Sequence, residues 1–327
     1  MTPQAHARGG ALAAAAVAAL LLAGPLAAQD AVQTPALEGV EDVVTETLPV
    51  PEVSALQAPA ERVGERVDVN GARLFYEAAG DGPPMLLLHG YPLSGALFAR
   101  VRDALQDEWT VITVDHRGYG LSEAPDVPDS IETYAEDALA VLDHLGIEEA
   151  VIGGMSMGGP IALSMYEMAP ERFTGLVLIN TTAAAAAPPE AGLWRGVEEV
   201  IAAEGLAPVI KSLIPDMLTG ETRLTEPAVA DYLTTVMEGA TTEAARGGAI
   251  ALAERPDFTD LLGEIDVPTL VLVGTEDSLY PVGVARDLQA AIPGADLAIL
   301  PGASHAAIFE APGSAAAAIE EWAQALR

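Results

Sequence analysis

Six short apolar runs, each ending in a turn or a polar residue, constrain this chain more than any other feature. They read "PMLLLHG" (84–90), "WTVITVD" (109–115), "EAVIGG" (149–154), "FTGLVLIN" (173–180), "VPTLVLVG" (267–274) and "ADLAILPG" (295–302). Runs of this length with no polar alternation suit strands buried on both faces of a parallel sheet. Helical periodicity fills the gaps between them, over 93–106, 131–146, 157–169, 282–294 and 312–326. Strand–helix alternation of this kind leads to a doubly wound sheet. A hairpin precedes it: "ERVDV" and "ARLFYEA" flank Asn70-Gly71, a pair suited to a two-residue turn. Between Thr181 and Leu262 the strand signal stops and only helical segments follow. The expected class is therefore α/β, a mostly parallel sheet of about eight strands with a helical cap inserted at 181–262.

The region before the hairpin reads differently. Arg8 and His6 precede the apolar run "ALAAAAVAALLLAGPLAA" at 11–28, and small residues end it ahead of Gln29. This pattern predicts a signal peptide, 1–28, cleaved after Ala28, and a secreted or periplasmic product. A retained anchor is the alternative, although Gly24-Pro25 interrupts a run already marginal for a membrane span. Residues 29–60 are acidic and Pro-rich with no basic residue, as in a solvated linker, so the folded domain is expected at 61–327.

The net charge is −33, with Lys211 the one lysine among 15 basic residues. Such acidity argues against nucleic acid or an anionic membrane surface as partner. The chain has no cysteine, which excludes disulfides, thiolate catalysis and cysteine–metal sites.

Gly154-Met155-Ser156-Met157-Gly158 falls where a strand passes into a helix. A sharp turn at that junction raises a serine above the sheet edge and aims the next N–H at the same point. Flanking glycines let neighbouring backbone approach without a Cβ clash. Ser156 is thus the candidate nucleophile; the alternative is a plain Gly-rich turn. A serine nucleophile needs a base. His6 lies in the signal, His116 in an expected surface loop, His144 near a helix end, and His89 in a segment with a structural look. His305 follows the last strand, on the same sheet edge as Ser156, and is the candidate base. Asp277 follows the preceding strand and is the candidate acid, with Glu276 as competitor. The other acid position, after the 173–180 strand, holds the uncharged Asn180.

The order Ser156…Asp277…His305, with "HGYP", "DHRGYGLSEAP", "GGMSMGG" and "PGASHAAIFEAP", resembles the α/β-hydrolase family from about Arg62 to the C-terminus. Within it the chain is most similar to the lid-bearing, cofactor-free group of 3-oxoadipate enol-lactonases, carboxylesterases and non-haem perhydrolases. The resemblance implies an oxyanion hole from the backbone N–H groups of Tyr91 and Met157. It also implies a serine hydrolase that cleaves a small-molecule ester or lactone through an acyl-enzyme, with no cofactor and no metal. Relatives that act as epoxide hydrolases or haloalkane dehalogenases use a carboxylate nucleophile, whereas this elbow carries Ser156. Hydroxynitrile lyases use a lysine near the histidine, whereas Lys211 falls in the cap. Perhydrolase and carbon–carbon hydrolase chemistry stay open, as does a ligand-sensing protein with a slow triad. Met155 and Trp194 are candidate substrate contacts; ordinary packing is the other reading for both.

Overall fold

A computed structural model describes residues 50–124 and 130–326. The expected signal peptide and residues 29–49 of the expected linker lie outside the described residues. The strands are β1 (Glu65–Val69), β2 (Ala72–Ala79), β3 (Pro84–Leu88), β4 (Thr110–Val114), β5 (Ala150–Met155), β6 (Phe173–Ile179), β7 (Thr269–Gly274) and β8 (Asp296–Leu300). They form one sheet in the order β1-β2-β4-β3-β5-β6-β7-β8, in which the β1–β2 and β2–β4 pairings are antiparallel and the rest parallel. Every residue of β5 and β7 is buried, as their unbroken apolar sequence requires. β8, at the sheet edge, buries only Leu300. At the hairpin Asn70 and Gly71 take φ of 47° and 76°, which sets Val69 opposite Ala72.

The core helices are α1 (Ala99–Leu105), α2 (Ile131–Leu145), α3 (Gly158–Met168), α9 (Val282–Ala291), α10 (Ala307–Glu310) and α11 (Pro312–Ala323). Between β6 and β7, among the described residues, lie five α-helices and no strand: α4 (Pro188–Glu204), α5 (Ala207–Met217), α6 (Gly220–Thr225), α7 (Pro227–Glu238) and α8 (Thr242–Ala253). The Ala- and Gly-rich α8 packs along α4. No helix of the described residues is long and apolar enough to cross a membrane.

The topology fixes where a site can form. The chain leaves β3 for β4 on one side and returns to β5 on the other. The loops after β3 and β5 therefore diverge, and a crevice opens at their carboxyl ends.

The expected linker docks sooner than its composition suggests. Val53 and Leu56 pack on the domain beside α7, because even an acidic segment buries apolar side chains where a groove receives them. The Arg100 Nε donates to Pro51 O at 3.3 Å and the Tyr232 hydroxyl donates to Gln57 O at 3.3 Å. Arg62 then enters the core, where it pairs with Asp115 and, at 2.8 Å, with Glu77.

Candidate active site

Ser156 sits between β5 and α3 at φ 54°, in the left-handed region. A non-glycine residue there costs of order 1–3 kcal/mol and persists only where its surroundings hold it. The surroundings do so here. The Ser156 N–H donates to Ile179 O at 3.0 Å, and its carbonyl accepts from the Gly159 N–H at 2.9 Å and the Thr181 hydroxyl at 2.7 Å. A Cβ at Gly154 would lie 2.0 Å from Gly158 O, and one at Gly90 would lie 2.8 Å from Ser156 Cβ. Both glycines are thus fixed by close approach, and Gly90 brings the β3 loop against the serine.

The other two candidate groups converge on that point. His305 Nε2 is 2.9 Å from Ser156 Oγ, and His305 Nδ1 is 3.0 Å from Asp277 Oδ2. His305 is fully buried and Asp277 nearly so. Burial works against ionising Asp277. The facing His305, a hydrogen bond from the Asn180 side-chain amide and the Tyr280 N–H overcome it, and hold the carboxyl below the usual carboxylate range. Asp277 Oδ1 also accepts from the Leu279 N–H at 2.9 Å. An anionic acceptor facing Nδ1 keeps the proton on that nitrogen, so Nε2 is left to accept from the serine hydroxyl. Glu276, one residue away, is exposed.

Tyr91 follows β3 and Met157 follows Ser156. Among the described residues, no acceptor takes a hydrogen bond from either backbone N–H. Two unpaired donors beside a nucleophile can receive a developing oxyanion. The Tyr91 ring meets the Trp194 ring edge to face, with centroids 5.3 Å apart, which joins the β3 loop to the inserted helices. Met155 is buried, with its sulfur packed against Gly90. Lys211 is exposed on α5.

Sequence reasoning misplaced one residue and undervalued others. His116 is buried, not on a surface loop, because the loop after β4 tucks under the β3 loop. Its N–H donates to His89 Nε2 at 3.0 Å, and its own Nε2–H donates to His89 O at 3.2 Å. The His89 Nδ1–H in turn donates to Gly90 O at 2.8 Å. Burial depresses His89 to about 3, with the Gly90 bond opposing and Arg62 adding to the shift. Burial likewise lowers His116. This neutral pair braces the segment that presents Tyr91. Asn180, set aside as uncharged, donates to Asp277 Oδ2 at 2.8 Å; its polar amide straight after an apolar strand was the available signal. Two acids not singled out, Asp216 and Glu310, border the His305 loop. Asp216 lies in the insertion, where no strand pattern indicated what faces the site.

The family model of the alpha/beta hydrolase fold matches residues 83–312. A 3-oxoadipate enol-lactonase of Acinetobacter baylyi is 29% identical over 240 residues, 73% of this chain and 88% of that protein. Haloalkane dehalogenase 2 of Mycobacterium tuberculosis is 31% identical over 282 residues, covering 78% of this chain and 92% of its own. Among solved structures, a thermophilic esterase from Thermogutta terrifontis superposes with a TM-score of 0.78 at 31% identity, over 81% of this chain and 99% of that one.

Proposed function

The chain belongs to the α/β-hydrolase family, and from that premise we propose that it is a serine hydrolase cleaving small, uncharged carboxylic esters or lactones through an acyl-enzyme. The observation that carries the reading is the continuous hydrogen-bonded line Ser156 Oγ–His305–Asp277, beside two unpaired backbone donors. In this reading His305 Nε2 takes the Ser156 proton as Oγ attacks the carbonyl carbon. The carbonyl oxygen becomes an oxyanion held by the Tyr91 and Met157 N–H groups; one such donor is typically worth about 3–4 kcal/mol. Asp277 stabilises the imidazolium and keeps its orientation. The imidazolium then protonates the leaving alkoxide, which departs and leaves an ester on Ser156. Water, deprotonated by His305, attacks that ester and releases the acid.

Two features support the substrate class. The elbow carries an alcohol, so it lacks the carboxylate that dehalogenase relatives use. The Tyr91–Trp194 wall is aromatic, and Arg255, tied into it through Glu190, is already paired with both Glu190 oxygens at 2.7 and 2.8 Å. Among the described residues at that contact, Arg255 is thus already engaged and not free to receive a carboxylate-bearing acyl group. We also propose export, with a mature N-terminus near Gln29. A p-nitrophenyl ester series from acetate to octanoate, with fluorophosphonate labelling mapped by mass spectrometry, tests the activity. Labelling at Ser156 with many turnovers is expected; labelling without turnover would favour a sensor, and no labelling would sink the proposal.

A further inference from the structure

The cap does more than cover the site: its corner after α5 is bonded to the loop that carries His305. The Asp216 carbonyl accepts from the His305 N–H at 3.3 Å and from the Ser304 hydroxyl at 2.8 Å. The Met217 carbonyl accepts from the Ala306 N–H at 2.9 Å. Asp216 Oδ1 accepts from the hydroxyl of Ser278, the neighbour of Asp277, at 2.9 Å. Glu310, on α10, closes the circuit. Its Oε2 accepts from the Ser304 N–H at 2.6 Å, and its Oε1 accepts from both the N–H and the hydroxyl of Thr219, at 2.8 Å each.

These bonds fall on residues 304, 305 and 306, on the neighbour of the acid, and on the chain that leaves α5. A tether meant only to hold the cap down has no reason to choose them. The cap has other fastenings, including the stack of Tyr232 on Phe309 with centroids 5.3 Å apart. We infer that Glu310 is a positioning residue: its carboxylate clamps the cap corner Asp216–Thr219 to the His305 loop, so that the cap forms part of the mount of the catalytic base. The inference rests on His305 being that base. Loss of the clamp lets the imidazole drift from Ser156 Oγ, and displacements of about 1 Å at such a contact can cost about a hundredfold in rate.

The consequence is specific. A cap that only shaped binding would alter KM and leave small substrates alone. A cap that mounts the base governs kcat even for a small acetate. Glu310→Gln keeps one carbonyl oxygen but turns an amide NH2, itself a donor, toward the N–H of Ser304 or of Thr219. On p-nitrophenyl acetate it is expected to lower kcat by roughly tenfold or more with KM within about twofold. Fluorophosphonate labelling of Ser156 should slow by the same factor, measured on folded protein below its melting transition. Thr219→Val removes the hydroxyl donor to Glu310, together with the cap on the Thr222 N–H, and Ser304→Ala removes the hydroxyl donor to the Asp216 carbonyl; both leave Glu310 in place, and a severalfold loss of kcat at unchanged KM is expected. These two variants decide the matter if Glu310→Gln fails to fold. The inference is overturned if folded Glu310→Gln retains kcat within about twofold, or if the two milder variants both do so, or if KM alone moves. Failure of the hydrolase reading is separate: wild-type protein would then show no Ser156-dependent turnover at all.

Discussion

At the carboxyl edge of the sheet, every candidate group sits within a few residues of a strand end. Tyr91 follows β3, Ser156 follows β5, Asn180 follows β6, Asp277 follows β7 and His305 lies just beyond β8. In the inserted helices, the groups that touch the loops of the site come from a helix face, as with Trp194 against Tyr91, or from a helix corner, as with Asp216 against His305. The two regions solve placement differently. The edge uses parallel strands in fixed register, and two glycine contacts that admit no side chain. The insertion relies on aromatic packing and a few hydrogen bonds. A change at the edge should therefore act on chemistry, and a change on an insertion face should act on substrate choice, with the Glu310 clamp as the place where the two meet.

The largest effects should come from the edge. Ser156→Ala and His305→Ala are each expected to lower kcat by several orders of magnitude, and the double variant should add little, because both serve one step. Steady-state kinetics on p-nitrophenyl acetate, with circular dichroism for folding, checks this. Near-wild-type activity in Ser156→Ala would break the comparison outright. Next, Asp277→Asn should cost roughly a thousandfold or more, while Glu276→Gln should stay within about twofold. Both remove one charge one residue apart, but only Asp277 faces the imidazole. The reverse result would move the acid assignment and leave the nucleophile untouched.

How much was legible follows the same division. Strands β3 to β7 were readable because both their faces are almost wholly buried, so polar residues are excluded and the runs stand out; β8 lies at the edge with one buried residue and was readable from its apolar run alone. The elbow was readable because its glycines are demanded by backbone contact. His305 and Asp277 were found by asking which acid and base fall after a strand on the correct edge. His116 escaped that test, since nothing in "DHRGYGLS" shows that its loop folds inward beneath His89. Asn180 escaped because a search for charge passes over an amide that donates to the charge. Asp216 and Glu310 are far apart in sequence, and only the packing of α5 against the His305 loop brings them together.

A smaller effect should mark the insertion. Trp194 meets Tyr91 and is nearly buried between the insertion and the β3 loop. Trp194→Ala is expected to lower kcat/KM for octanoate relative to acetate by about tenfold, the scale that one apolar wall contributes to discrimination. Equal loss on every ester in the series would show that Trp194 only supports the fold, and the insertion would then lose its claim on specificity.

A last effect, read in stability and not in rate, separates the regions by their protons. His89 and His116 belong to the edge, and the insertion contains no histidine. His89 is held near 3 by burial, against an ordinary value of about 6.5 in an unfolded chain. The unfolded state therefore binds the proton first. The stability that His89 contributes is present above about pH 6.5 and declines as pH falls toward 3, by up to about 1.4 kcal/mol per pH unit. Asp216, at the insertion corner, has the opposite sign. Burial raises it, although the Ser278 hydrogen bond opposes the shift. Its favourable contribution belongs to the protonated form, so it is lost as pH rises and recovered as pH falls. Acid also relieves the repulsion of a chain carrying a net charge of −33, but that term is nearly common to wild type and single variants and largely cancels in their differences. Urea midpoints from pH 7 to 4 should thus show wild type losing stability relative to His89→Gln and gaining it relative to Asp216→Asn. The slopes carry the test, since either substitution can shift the baseline by repacking. Parallel curves for His89→Gln and wild type would mean that His89 takes up its proton in the folded state, and the neutral brace beneath Tyr91 would have to be abandoned.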